Sequence, residues 1–177
     1  MPNPFAVQPT PAPDISLPQP TMADLMSDAT QSEVVVSAEV ESLGEAPGRV
    51  ATPCAYQGVT YRSLEVLQGA LEAAEFRVAH PVCLGWPLID NRLVGLSPEY
   101  FRPGQRFVLF LQRDGGGRVK YAGESATWVS EYVVFDGRFG ALLDDDELRA
   151  NVRKAVAARG GAKSPGKYDP FARRRHR

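Results

Sequence analysis

Histidine and cysteine are scarce in this sequence, which contains two of each among its 177 residues. Neither His80 nor His176 belongs to a pattern with a serine or cysteine nucleophile. Ser97 and Ser130 do not occupy the strand-to-helix elbow on which many hydrolases carry their nucleophile. The sequence therefore contains no recognisable catalytic motif, and we predict a protein that is not an enzyme.

The sequence also offers a poor set of metal ligands. His80 and Cys83 are close in sequence, and Cys54 and Asp90 are the remaining candidates. Structural zinc is held by four well-spaced nitrogen or sulfur ligands, whereas this set has the wrong spacing and one weak member. His80 precedes a proline at the end of a predicted strand, where a structural role is favoured. We expect no metal and no cofactor.

Long apolar runs are absent as well. No stretch approaches the ~20 apolar residues that a membrane-spanning helix needs. The N-terminus lacks the basic and apolar segments of a signal peptide. One interpretation is a cytoplasmic protein, and the other is a mature exported chain whose leader was replaced by a starting Met. The resemblance described below favours the second, extracytoplasmic interpretation.

Cys54 and Cys83 are the two cysteines of the chain. A disulfide between them would stabilise the fold by roughly 3 kcal/mol if the geometry allows it. Two buried free thiols fit the sequence equally well, because cysteine is among the most buried residue types. Two cysteines do not identify a redox compartment, so both alternatives stay open.

Proline is concentrated at the start of the chain, where residues 1–20 contain seven of the fifteen prolines. Successive X-Pro pairs favour polyproline II and disfavour helix. We therefore assign residues 1–31 to an extended arm or linker. Within it, Thr21 can cap a single helical turn that has Asp24 at its third position. A plain linker and an arm that docks on a neighbouring subunit are both compatible with this composition.

The net charge of −1 conceals an uneven distribution. Residues 1–32 carry −3, residues 33–158 carry −4 and residues 159–177 carry +6. We assign residues 161–177 to a basic tail, and its terminal arginines are candidate partner-binding residues: Arg173, Arg174, Arg175 and Arg177. Such a tail attracts copies of the acidic body, an acidic partner, nucleic acid or an anionic membrane, or it serves only to solubilise the chain.

Residues 32–160 have the pattern of a β-rich domain. β-Branched and alternating segments predict strands, with turn residues between them, at 33–43, 59–67, 76–80, 106–111 and 131–135. The segment 107–111 is wholly apolar, which is typical of a strand buried on both faces. A glycine-rich loop at 115–117 predicts a hairpin that returns through 119–121.

A single helix is predicted near the end of this domain. Asp144, Asp145 and Asp146 stand where the helix dipole favours anions, so the acidic run is explained without a calcium ion. The apolar stripe consists of Leu148, Val152, Ala155 and Val156. Five to seven short strands with one C-terminal helix indicate a mainly β fold, a small barrel or sandwich flanked by extended tails.

The order of these elements resembles that of netrin-like domains, the OB-type barrels also found in tissue inhibitors of metalloproteinases. The resemblance covers residues 33–158 and rests on the opening strand 34–40, on Tyr61-x-x-Leu-x-Val-Leu-Gln-Gly69, on 103–111 and on 134–137 before the terminal helix. It implies an exported binding or scaffold module. The inhibitory members chelate the protease metal through an N-terminal cysteine, and this chain has none before Cys54, so inhibition is not carried over.

We therefore predict a non-enzymatic interaction or scaffold module that binds partner proteins, copies of itself or a larger assembly through its barrel surface and tails. Trp86, between a glycine and a proline, is the candidate surface aromatic, whereas Phe101 is expected to fill the core. The alternative is an OB-type nucleic-acid-binding module. In it, the basic tail would follow phosphates while Tyr61 or Phe76 stacks on bases.

Overall fold

The computed structural model describes residues 19–44, 54–83, 88–89, 92–93, 101–122, 127–136 and 139–158. Two helices lie in these ranges, α1 (Met22–Gln31) and α2 (Asp146–Ala158). The strands are β1 (Val34–Leu43), β2 (Cys54–Gln68), β3 (Glu75–Cys83), β4 (Leu88–Ile89), β5 (Arg92–Leu93), β6 (Arg106–Arg113), β7 (Lys120–Ala122), β8 (Thr127–Val129), β9 (Tyr132–Val134) and β10 (Ala141–Leu143).

Five strands close into a barrel in the order β1-β2-β3-β9-β6, and β6 pairs back onto β1. The pairing of β3 with β9 is parallel, while the other four pairs are antiparallel. This strand order with one parallel pair is that of a five-stranded Greek-key barrel of the OB type. The prediction of a mainly β, OB-like barrel with a C-terminal helix is confirmed.

The barrel interior is filled by alternate residues of its strands. On β1 these are Val34, Val36, Ala38 and Val40, which pack against larger side chains from the facing strands and from the segment before β6. Those side chains include Tyr61, Phe76, Phe101, Phe107, Leu109, Leu111 and Tyr132. Because β-strand side chains alternate between faces, the strict alternation on β1 places one complete set inside. Phe101 is buried here, as the sequence predicts.

A second apolar layer lies outside the barrel, where the helices cover β1 and β6. Val35, Val108 and Phe110 point away from the interior and pack against both helices. The helical contributions are Leu25 and Ala29 from α1 and Val152 and Ala155 from α2, with Leu148 and Val156 at the margin. This layer explains why β6 is apolar on both faces, and it confirms the predicted stripe of the C-terminal helix.

Helix α1 differs from the predicted arm, in which only one turn near Thr21 was expected. The capping box is present: Asp24 N donates to Thr21 Oγ1 at 3.2 Å, and Thr21 N donates to Asp24 Oδ2 at 2.8 Å. The helix then continues for ten residues because Leu25 and Ala29 form an apolar face that the barrel buries. The side chain of Gln68 in β2 donates to the carbonyl oxygen of Ala29 at 3.0 Å, which satisfies a helix-end acceptor.

Two strand boundaries also differ from the sequence-based expectation. Strand β2 begins at Cys54, within a segment expected to be a loop up to residue 58. Strand β3 continues through Pro81, which was expected to end it. Pro81 lies opposite Tyr56 of β2, whereas β9 pairs with β3 only at Val78 and Ala79. A proline is tolerated at such a position, because among the described residues no third strand pairs with β3 there and requires its missing N–H group.

The turn after β2 requires glycine at position 69. Its φ is +75°, and a Cβ atom would collide with the carbonyl oxygen of Glu33. Gly104 has a φ of +87° but has open space around it. We expect Gly104→Ala to lower the free energy of unfolding by about 1–2 kcal/mol, the cost of the left-handed conformation alone. Gly69→Ala should lose at least ~1 kcal/mol more, because the backbone must also move. Urea unfolding of both variants measures this, and equal losses would contradict the collision.

Candidate functional site

The exterior of the barrel at β2 and β3 is where barrels of this type bind ligands, together with the loops that follow the first and fourth strands. In this chain the fourth and fifth barrel strands are β6 and β9. The connection between them contains the two-stranded hairpin β7–β8. We refer to Lys120–Ala122 and Thr127–Val129 as the aromatic hairpin.

The aromatic hairpin lies directly on β2. Trp128 Nε1 donates a hydrogen bond to Thr60 Oγ1 at 3.1 Å. The indole ring also covers Gly58, where a Cβ atom would come within 2.7 Å of the ring. Glycine at position 58 is therefore what allows the ring to approach the strand so closely. Trp128 therefore covers the outer face of β2 at both Gly58 and Thr60.

Tyr121 and Trp128 form the aromatic part of this surface. They are cross-strand partners in the hairpin, and their rings stack with centroids 5.1 Å apart at 13°. Both side chains are half-buried. Stacked aromatic pairs prefer separations of this size and hold each other's rotamers. The result is a flat aromatic surface that is ordered before any partner arrives.

A buried carboxylate fixes the base of the hairpin. Asp114 Oδ2 accepts hydrogen bonds from Ser130 Oγ at 2.6 Å and from the Arg118 backbone N–H at 2.7 Å. Its other oxygen accepts from Arg118 Nη1 at 2.9 Å. The Arg118 guanidinium also lies 5.7 Å from the centre of the Tyr56 ring. The Asp114 side chain is inaccessible to solvent. Its charge-assisted hydrogen bonds therefore hold together the start and the end of the connection between β6 and β9.

Arginines on the described surface are engaged by carboxylates. Ion pairs are formed by Arg62, Arg77, Arg106, Arg113, Arg118, Arg149 and Arg153. The pair between Arg77 and Glu131 spans β3 and the residue before β9, next to the hairpin. A surface that binds nucleic acid uses such cations to neutralise phosphates. Here many of them already have anionic partners within the chain.

A second feature is a buried carboxylate on α1. Asp28 is 4 % exposed, and its Oδ2 atom has no hydrogen-bond partner. Burial, together with the nearby carboxylates of Asp136 and Asp24, raises the pKa of Asp28 to about 9. The Asp136 side chain is close enough to share a hydrogen bond with Asp28. A carboxyl group in such surroundings is neutralised by a proton or by a cation.

His80, the histidine considered as a metal ligand, lies inside the barrel. Its Nε2 atom is 2.7 Å from the Tyr61 hydroxyl, and its ring centre is 4.4 Å from that of Phe101. Burial lowers the pKa of His80 to about 3 and raises the pKa of Tyr61 well above its usual value. The pair is a neutral hydrogen bond within an aromatic core, which agrees with a structural role.

The remaining candidate residues fall into two groups. Trp86 and the tail arginines Arg173, Arg174, Arg175 and Arg177 lie outside the described residues, as do the side chains of Cys54 and Cys83. Tyr61 and Phe76, expected to stack on bases in the nucleic-acid alternative, are instead buried in the barrel core and cannot do so. Their strand positions alternate with outward-facing Thr60 and Arg77, and only the direction of the barrel curvature decides which set is inside.

The acidic run before α2 has a structural role. Asp145 Oδ1 accepts a hydrogen bond from the Leu148 backbone N–H at 2.7 Å, which caps the helix. Asp144 and Asp146 form ion pairs with Arg149. Within the described ranges, no three histidine, cysteine or acidic side chains are grouped so as to hold a metal ion. Likewise, no helix in those ranges is long and apolar enough to span a membrane.

No model of a protein family matches the chain, and no curated protein matches it significantly. The candidate sites therefore rest on the geometry of this chain itself.

Sequence reasoning missed both the aromatic hairpin and Asp28. Tyr121 and Trp128 are separated by a loop, and only the hairpin register makes them neighbours. Asp28 left a weak signal, because it lies three residues after Leu25 and directly before Ala29, on the apolar face of a helix with a capping box. An acidic residue on such a face is buried if the helix packs, and the packing was not foreseen.

The pH dependence of stability tests the neutral His80. Below about pH 6.5 the unfolded chain binds a proton at this imidazole, whereas the folded chain does so only near pH 3. The free energy of unfolding should therefore decrease as the pH falls through this interval. We expect His80→Gln, which can still hydrogen-bond Tyr61, to lack this component. Urea unfolding of both proteins from pH 7 to pH 3.5 gives the difference, and parallel curves would contradict a neutral buried imidazole.

Proposed function

We propose that this chain is a non-enzymatic protein-binding module that contacts its partner through the aromatic hairpin. The observation that carries the proposal is the stacked pair of Tyr121 and Trp128, held on β2 by the hydrogen bond to Thr60 at 3.1 Å. This pair occupies the region where OB-type barrels bind their ligands.

The chemistry of this surface suits a protein partner. Tyrosine, tryptophan and arginine are the residues that most often dominate protein interfaces. Rigid aromatic side chains bury a large area at a small cost in conformational entropy. Tyr121 and Trp128 are restrained by stacking, and Arg118 is restrained by Asp114. Little further ordering is needed when a partner covers them.

We further propose that the module works outside the cytoplasm, as part of an assembly in which the tails also contact partners. The antiparallel register of β2 and β3 sets the backbone of Cys54 opposite that of Cys83. Opposed residues in such a pair have Cα atoms about 4.5–5.5 Å apart, a separation compatible with a disulfide. Of the two alternatives left open by the sequence, this register supports a disulfide between Cys54 and Cys83 and, with it, an oxidising compartment.

Nucleic acid is the second candidate ligand, because single strands also stack on aromatic side chains in OB-type barrels. Exposed Lys120 beside the stacked pair favours this alternative. The paired arginines and the net charge of −4 over residues 33–158 favour a protein instead. Tail contacts alone would be weak and sensitive to salt.

Replacing one aromatic ring of the hairpin tests the protein-binding proposal. Tyr121→Ala removes half of the stacked surface and leaves the Trp128 hydrogen bond to Thr60 in place. Leu143→Ala is the matched control, because Leu143 is 46 % exposed on the separate strand β10. After cross-linking in the native source, we expect defined protein partners whose recovery by Tyr121→Ala falls at least about tenfold, the loss that a moderate hot spot produces.

Recovery by Leu143→Ala should equal that of the wild type. Partners that Tyr121→Ala retains fully would refute the hairpin as the contact surface. Fluorescence anisotropy of a labelled oligothymidine at low salt tests the alternative ligand. Saturable binding that Tyr121→Ala abolishes would replace the protein with nucleic acid, whereas no binding would remove the second candidate.

A further inference from the structure

A cavity of about 270 Å³ lies between α1 and the segment that follows β9. Its acidic lining comes from Asp24 and Asp28 on α1 and from Asp136 after β9. Phe135 and Phe139, both buried, form apolar walls. Acidic groups beside aromatic walls are the surroundings in which proteins hold organic cations.

Asp28 distinguishes this cavity from an ordinary acidic patch. Its side chain faces the cavity while only 4 % of the residue is exposed, and its Oδ2 atom lacks a hydrogen-bond partner. Buried polar groups in folded proteins are nearly always satisfied, and an exception indicates an absent water, ion or ligand. A helix that needed only apolar contacts at this position would be more stable with an alanine or leucine there.

We propose that this cavity binds the guanidinium group of an arginine side chain from the protein partner, with Asp28 and Asp136 as the two acceptors. This inference deepens the proposed function and rests on it, since it names the chemistry of a partner residue. A guanidinium presents several N–H donors in one plane and can bond two carboxylates at once. Its flat faces also pack against aromatic rings such as those of Phe135 and Phe139.

Other occupants fit the cavity less well. A metal ion would need more converging ligands, and no three acidic, histidine or cysteine side chains in the described ranges are arranged to hold one. A lysine ammonium carries a compact charge and lacks the planar fork that bridges two carboxylates. The neutral polar side chains that line the cavity are Ser27 and Gln31.

A proton competes with the guanidinium for the same carboxyl group. With the cavity empty, burial and the carboxylates of Asp136 and Asp24 keep the pKa of Asp28 at about 9, so a proton is bound at neutral pH. Among the described residues that line the cavity, the other charged groups are Asp24 from the same helix and Asp136 from the facing segment. Guanidinium binding should therefore release a proton, and its affinity should increase as the pH rises from 6 towards 9.

Amide NMR of the full chain with N-acetyl-arginine amide tests the site directly. We expect saturable shifts at the amides of α1 and of Phe135 and Phe139, with affinity that increases with pH. The neutral isostere N-acetyl-citrulline amide should produce none of these shifts. Asp28→Asn should weaken arginine binding at least about tenfold, and Asp136→Asn should do the same. Asp146→Asn is the matched control, because that carboxylate is 98 % exposed on α2, and it should leave binding unchanged.

Asp28→Asn keeps the shape of the side chain, and an unchanged amide spectrum away from the cavity shows that the variant folds. Equal shifts with the citrulline compound, or unchanged binding by both cavity variants, would overturn the proposal. The cavity proposal fails alone if Tyr121-dependent partners are captured equally well by Asp28→Asn. The proposed function fails alone if the arginine compound binds as expected while cross-linking recovers no partner that depends on Tyr121.

Discussion

The closure of the barrel through β1 and β6 is the constraint on which the other elements depend. Six consecutive residue pairs from Val34–Leu111 to Glu39–Arg106 join these strands. Closing the sheet separates an interior, filled by one set of side chains, from an exterior that the second set would expose to water. Val35, Val108 and Phe110 belong to this second set, and α1 and α2 cover them. The helices are therefore required by the apolar outer face of the closing strands.

Covering this face has a chemical consequence. Leu25 and Ala29 dock α1 onto the barrel, and the same docking buries Asp28 between them. Because the apolar contacts determine the position of the helix, the unfavourable burial of one carboxyl group is maintained by the rest of the interface. Natural proteins retain such locally unfavourable groups most often at functional sites. The apolar packing and the acidic cavity are thus parts of one arrangement.

The aromatic hairpin, in the connection between β6 and β9, packs against a different part of the barrel surface. Its long excursion is stable because Asp114 binds both ends, through Arg118 and Ser130. Gly58 then permits the Trp128 ring to lie against β2. The connection between β6 and β9 therefore provides an ordered aromatic surface, formed by Tyr121 and Trp128. Its location, on the face used by OB-type barrels, is the reason why we propose it as the contact surface.

Local patterns in the sequence predicted the five barrel strands, the C-terminal helix and the barrel class, because alternation, turn residues and helix caps act over a few residues. The hairpin predicted around residues 115–117 was wrong in its pairing, because β7 pairs with β8 while β6 pairs with β1, β9 and β10. The all-apolar β6 already indicated burial on both faces. The sequence did not reveal the length of α1, since its ten residues are stabilised by contact with distant strands. In the nucleic-acid alternative, Tyr61 or Phe76 was expected to stack on bases, whereas the closed barrel buries both side chains. Cross-strand register and barrel closure act between residues far apart in the chain, and only the tertiary structure brought Tyr121 to Trp128 and Asp28 to Asp136.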